Sequence, residues 1–308
     1  MTLRGSLLAL SLLLLSGCVT YPDITQARSP CRMEPGGWCK FVREAAIESY
    51  PYAIAATNAY QGDDDLFGDL GRGLVRRDRD PIDVEDAKKG FDYQIFDQYA
   101  VRPDTGEVEG EAPIARIMAF RGTDFDDGAD LYYGTLRDDQ IKIALKYFDR
   151  EQTNRGDDIP WIVTGHSLGG ALAVEVSIMY PDVRAWMFNV SPFYRGDSTI
   201  HASSRTLINE RGDFLRRARG GRPVPASDMF VINCSPQAGR IAKHGIQRLA
   251  DCLIWIAAYE HEDARLIVAE NEITKPPVEC GDPDKDHPGQ HWREERPCIH
   301  LARSPDDD

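Results

Sequence analysis

The sequence predicts an α/β fold, a mostly parallel central sheet flanked by helices. Three observations predict it. Strand candidates alternate with helix candidates along the chain. The segment Trp161-Ile162-Val163-Thr164 is short, apolar and β-branched, as a strand covered on both faces must be. It runs through a glycine-rich turn straight into an Ala/Leu-rich helical stretch over 168–180, closed by Pro181. At 308 residues, 42% hydrophobic and 28% charged, the chain can bury one large core and is too apolar for disorder.

The remaining elements follow in order. Arg4, an apolar run over 7–15 and then Ser16-Gly17-Cys18 read as an export signal too short to span a bilayer. Residues 1–17 are therefore expected to be absent from the mature chain, with 18–38 a Pro/Gly-containing tether. The folded domain is expected over 39–275. Residues 40–60 read as one or two helices, depending on whether Pro51 interrupts them. The Asp-, Arg- and Gly-rich stretch 61–90 reads as an exposed loop with short helical pieces. Strands are expected at 91–100 and 114–120, joined as a hairpin through turn chemistry at 103–106. An amphipathic helix is expected over 130–150, a loop at 154–158, and strands at 185–190, 205–209 and 228–234. Residues 249–259 lie within a helix. The tail 276–308 is polar, Pro-rich and acidic, and is expected to be loosely ordered apart from its cysteines.

Seven cysteines and the charge balance bear on compartment and partners. Setting Cys18 aside leaves six, an even number in an exported chain, and oxidising compartments favour pairing. Six cysteines allow 15 connectivities; sequence proximity favours 31–39, 234–252 and 280–298. A metal site in the tail, from Cys280, His287, His291, Cys298 and His300, matches no zinc template, and none is expected. The formal net charge is −14, and losing Arg4 with the signal makes it one unit more negative. Charge would therefore recruit the chain neither to nucleic acid nor to an anionic bilayer surface.

Leu15-Ser16-Gly17-Cys18 resembles the lipobox of bacterial lipoproteins. The resemblance implies cleavage before Cys18, diacylation of its sulfur, and acyl chains as the membrane anchor. Val19 stands where Asp would be the inner-membrane retention signal, so the resemblance implies the outer membrane.

Gly165-His166-Ser167-Leu168-Gly169-Gly170 contains Gly-x-Ser-x-Gly. Alone that motif is weak; between a strand and a helix it predicts an elbow presenting Ser167 as a nucleophile, with the Leu168 N–H directed at an oxyanion. A serine at its free pKa needs a base and an orienting acid. With the chain order Ser, acid, His, both lie after residue 167. Asp213 follows an apolar strand and a glycine turn and is the expected acid, ahead of Asp182, Asp228 and Asp251. His244 lies after the last strand and before an apolar helix and is the expected base, ahead of His201, His261 and the tail histidines. His166 sits inside the elbow and cannot reach Ser167 productively.

These segments together resemble the fungal-type, class 3 lipase family of α/β-hydrolases. Phe120-Arg121-Gly122-Thr123 is similar to its oxyanion strand, 165–170 to its elbow, 189–192 to its next strand end, 205–213 to its acid-bearing strand and turn, and His244 to its base. The resemblance spans about residues 40–260. It implies that Thr123 supplies a second oxyanion donor, and that the activity is hydrolysis of acylglycerol or phospholipid esters without a cofactor. A thioesterase or peptidase would use the same triad. A hydrolase-fold envelope protein that binds a lipid or protein partner without turnover is the alternative of another class.

Overall fold

Helix α1 (Lys40–Asn58) runs through Pro51 as one helix. The proline removes one backbone hydrogen bond and crowds the preceding turn, at about 3 kcal/mol. Burial offsets it: Tyr50, Ala53, Ile54 and Ala56 lie in the core between the sheet and a later helix. The computed structural model describes residues 31, 34–60, 66–122 and 138–279.

The described strands are β1 (Leu74–Arg77), β2 (Tyr93–Gln98), β3 (Ala100–Val101), β4 (Val108–Glu109), β5 (Ala115–Phe120), β6 (Trp161–His166), β7 (Arg184–Phe188), β8 (Arg205–Glu210) and β9 (Asp228–Ile232). Seven of them form one sheet, ordered β1-β2-β5-β6-β7-β8-β9. β5 to β9 are parallel, and β1 and β2 extend that sheet antiparallel. The hairpin expected from 91–100 and 114–120 is the β2–β5 pair, with Tyr93 opposite Phe120 and Gln98 opposite Ala115. Its connection carries a small second hairpin, β3 with β4.

Alternation along the strands divides the core into two layers. Phe96, Ile117, Ile162, Trp186, Phe188 and Ile208 face α1 and α6 (Ile246–Ala257). Tyr93, Met118, Val163, Met187 and Leu207 face α3 (Asp138–Arg155) and α4 (Leu168–Met179). Helices cover both faces, and this three-layer arrangement is the α/β-hydrolase-like fold expected from the sequence. Three shorter or peripheral α-helices stand among the described residues: α2 (Val84–Ala87), α5 (Phe214–Ala218) and α7 (Glu262–Glu270).

The structure departs from the expectations in three places. The loop reading of 61–90 missed β1, because only Leu74 of its four residues is buried and no apolar alternation marks it. The side chains of Arg76 and Arg77 bind Gln94 and Asp97 of β2 instead, at 3.0 and 2.7 Å. The loop expected at 154–158 begins late, since α3 continues to Arg155. Packed structure also reaches past 39–275 at both ends: Cys31 and Trp38 join the core, and Glu279 accepts hydrogen bonds from Trp38 Nε1 and the Tyr259 hydroxyl.

The disulfides Cys31–Cys39 and Cys234–Cys252 are formed. Cys280 and Cys298 lie outside the described residues, as do Cys18 and the tail histidines. No helix of the described residues is long and apolar enough to cross a membrane, and no described cluster of His, Cys, Asp or Glu could hold a metal.

Candidate active site

Ser167 stands between the last residue of β6 and the first of α4 with φ 54° and ψ −119°. That conformation is costly for a residue with a Cβ, on the order of 1–3 kcal/mol, and persists only where packing enforces it. The packing is severe. A Cβ on Gly169 would collide with the Phe120 carbonyl at the end of β5, and one on Gly165 would collide with the Gly169 backbone. Glycine at these positions lets helix, elbow and β5 close on one another. Hydrogen bonds from Ser167 N to Phe188 O (3.1 Å) and from Ser191 N to Ser167 O (3.0 Å) tie the elbow to the segment after β7.

The N–H of Leu168 opens α4 and has no acceptor within the helix, so a charge-stabilising donor is available at the elbow. Thr123 lies outside the described residues. Its neighbour Gly122 is described. A Cβ there would collide with the Tyr60 hydroxyl and lie 2.7 Å from the His166 carbonyl, so the chain leaving β5 passes directly against the elbow.

Asp213 and His244 are brought together. His244 Nδ1 lies 2.8 Å from Asp213 Oδ1, and both side chains are buried, at 3% and 1% exposure. The ionised carboxylate can only accept, so the proton of this bond belongs to Nδ1, and Nε2 is left as the basic nitrogen of the neutral ring. Phe214 packs its ring 5.1 Å from the imidazole, centroid to centroid. Asp213 follows the carboxyl end of β8, where open α/β sheets gather their functional groups.

His244 is held from behind by groups that its sequence neighbourhood does not reveal. His166, the residue before Ser167, places its ring 4.6 Å from that of His244 and its Nε2 2.6 Å from the His244 carbonyl. A carbonyl accepts only, so His166 carries its proton on Nε2, and Nδ1 accepts from the Tyr60 hydroxyl at 2.7 Å. Burial, first, and then His244 hold the His166 pKa well below the usual value, so the ring stays neutral. Asn189, at φ 42°, donates Nδ2 to the same carbonyl (3.1 Å) and accepts the Glu210 N–H at 2.8 Å. The buried Glu210 carboxylate in turn accepts the N–H groups of Cys234 and Ser235 at 3.1 Å, fixing the start of the loop that delivers His244.

The other sequence candidates lie elsewhere. Asp182 is exposed beyond α4, and Asp228 is exposed at the amino end of β9, the far end of the sheet from the elbow. Asp251 lies on α6, with burial pushing its carboxyl up to about 6. His201 is exposed, and His261 stands at the N-cap position of α7 without a side-chain capping bond, its ring against Tyr50. The sequence does not mark Tyr60, His166 and Asn189 as supports of His244. The only sequence signals were a polar ring inside the elbow and an Asn at a strand end.

Sheet order, covering helices and strand-turn-helix elbow define an α/β-hydrolase-like fold. Among solved structures, the chain is similar to Lip2 lipase from Yarrowia lipolytica: 12% identity over 63% of this chain and 80% of that one, TM-score 0.39. It is also similar to a mutant form of MDLA from Penicillium cyclopium: 14% identity, 65% and 83% covered, TM-score 0.40. A Rhizomucor miehei lipase propeptide complex matches at 14% identity over 54% of this chain and 60% of that one, TM-score 0.29. No family model matches the chain, and no curated protein matches it.

Proposed function

We propose that the protein is a serine hydrolase of carboxylic esters. The observation that carries this reading is the buried 2.8 Å bond between His244 and Asp213 at the same end of the sheet as the strained Ser167 elbow. His244 Nε2 takes the hydroxyl proton of Ser167 as Oγ attacks the ester carbonyl. The oxyanion forms against the N–H of Leu168, with Thr123 as the second donor. His244 then protonates the leaving alkoxide. Water, deprotonated by the same nitrogen, attacks the acyl carbonyl, and the acid leaves as Nε2 returns that proton to Ser167 Oγ. Asp213 holds the tautomer and stabilises the imidazolium. The steps require no metal or organic cofactor. The resemblance to class 3 lipases supports a lipid ester, an acylglycerol or phospholipid, as substrate.

The experiment is hydrolysis of short-chain p-nitrophenyl esters together with labelling by a fluorophosphonate probe. Turnover is expected, with the probe attached to Ser167 in the peptide mass map. A protein that cleaves none of these esters and resists the probe would be a binder, and the reading fails.

We propose also that the mature chain begins at Cys18 and is held at the outer membrane by acyl chains, on the strength of the lipobox-like ending of its leader. Protein extracted from cell envelopes is expected to show a diacylglyceryl mass increment on an N-terminal Cys18. An unmodified Cys18 in that preparation refutes the anchor.

A further inference from the structure

A cavity of about 240 Å³ opens between α1, β1, β3 and the start of α7. It lies a strand's length from the elbow. Gln98 in its lining pairs with Ala115, the first residue of β5, whereas Ser167 follows the carboxyl end of the neighbouring β6. Ile47, Leu70, Leu74 and Val101 give the cavity aliphatic walls, and Ile114, 50% exposed, continues them to the surface. Its volume equals about eight waters in the liquid, enough for a small organic molecule.

The acid in this lining is Asp263, and the lining holds no Lys or Arg. Asp263 is 1% exposed. Its Oδ2 accepts from the Tyr50 hydroxyl at 3.2 Å and its Oδ1 from the backbone N–H of Arg72 at 2.7 Å. Both donors are neutral. Asp263 is the second residue of α7, whose amino end carries about half a positive charge and so balances the carboxylate only in part. His261, also in the lining, is the neighbour that could cancel the remainder. Burial holds its pKa below the usual histidine value against the pull of Asp263, so the ring stays neutral. The side chain is 8% exposed, and its Nδ1 is buried without a hydrogen-bond partner. Tyr50 commits its proton to Asp263, so what it can still offer a ligand is an acceptor. The rings of Tyr50 and Tyr99 add aromatic surface that a cation can approach. A buried carboxylate lacking a counter-cation is unfavourable, and a cation entering the cavity would relieve it.

We propose that this cavity binds a small organic cation, a protonated primary amine with a short apolar body. The ammonium bonds Asp263, and the body lies against Ile47, Leu74 and Val101. Such a site is independent of ester hydrolysis and would remain were Ser167 inert.

The test is calorimetric titration of the full chain, at constant ionic strength, with phenethylammonium, 2-phenylethanol and 3-phenylpropionate, which share a ring and differ in the charge of the head. Phenethylammonium is expected to saturate one site with a Kd of about 10⁻⁴–10⁻³ M. The alcohol should bind at least about tenfold more weakly and the propionate not at all. Asp263→Asn is expected to lower the amine to the affinity of the alcohol. Since Asp263 is also bonded within the fold, Ala100→Phe serves as a second variant: it keeps the carboxylate, fills the cavity from β3 and is expected to abolish binding of both. Equal affinities of wild type for amine and alcohol overturn the proposal, and so does a wild type that the amine does not saturate. Amine binding that persists in a folded Ala100→Phe also overturns it, since the amine would then sit elsewhere on an acidic chain. Should Asp263→Asn fail to fold, the wild-type ratio of amine to alcohol and the Ala100→Phe titration decide.

Discussion

Replacing Ser167 by Ala is expected to lower kcat on any accepted ester by about 10⁴–10⁶ while leaving the fold intact. The hydroxyl is the only group removed, and it is the one that makes and breaks the acyl bond in the proposed cycle. What remains is the two proposed oxyanion donors, Leu168 and Thr123, and the binding surface, which by themselves polarise a bound carbonyl toward water. Stability should change little, because alanine keeps the Cβ that makes φ 54° costly and fills nearly the same buried space. Parallel thermal melts of the two proteins check this. Residual turnover above about 1% of wild type would place the nucleophile elsewhere.

Asp213→Asn is the second large effect, a fall in kcat of about 10⁴. The argument is one of proton placement. In the wild type the carboxylate accepts from Nδ1 at 2.8 Å, which leaves Nε2 able to accept the serine proton. An amide that turns its NH2 toward Nδ1 reverses the bond, moves the ring proton to Nε2 and removes the base. An amide that turns its oxygen keeps the tautomer but no longer balances the imidazolium charge. The substitution is isosteric at a site 1% exposed, so packing is conserved and the loss should fall on kcat rather than on Tm. A fall below about tenfold would dismiss Asp213 as the acid. Asp251 would be the next to substitute, since Asp228 stands at the wrong end of its strand.

The elbow was legible in the sequence because its physics is local. A buried strand, two glycines forced by backbone contact and an Ala-rich helix occupy consecutive residues, so periodicity and spacing report the geometry directly. Asp213 and His244 were legible for a weaker reason: each stands where a strand end or loop empties onto the same edge of a parallel sheet. The support behind His244 was not legible. It joins residues 60, 166, 189 and 210 across more than a hundred positions, and no periodic signal couples a helix-end tyrosine to a histidine in a turn. β1 escaped for the opposite reason. Its pairing is carried by backbone and arginine hydrogen bonds, and hydrophobic pattern, the main strand signal, is missing from Leu74–Arg77.

The Cys234–Cys252 bond spans 18 positions and encloses His244. Ser167 and Asp213 follow the carboxyl ends of β6 and β8 and lie outside that loop. The imidazole is delivered by a connecting segment, and closing a segment of that length removes about 3 kcal/mol of freedom from the unfolded chain. The proposed base therefore rides on a cross-linked segment, whereas Ser167 and Asp213 lie outside it. On the proposed mechanism, reducing this bond lowers the stability of the chain whose base-bearing segment it closes.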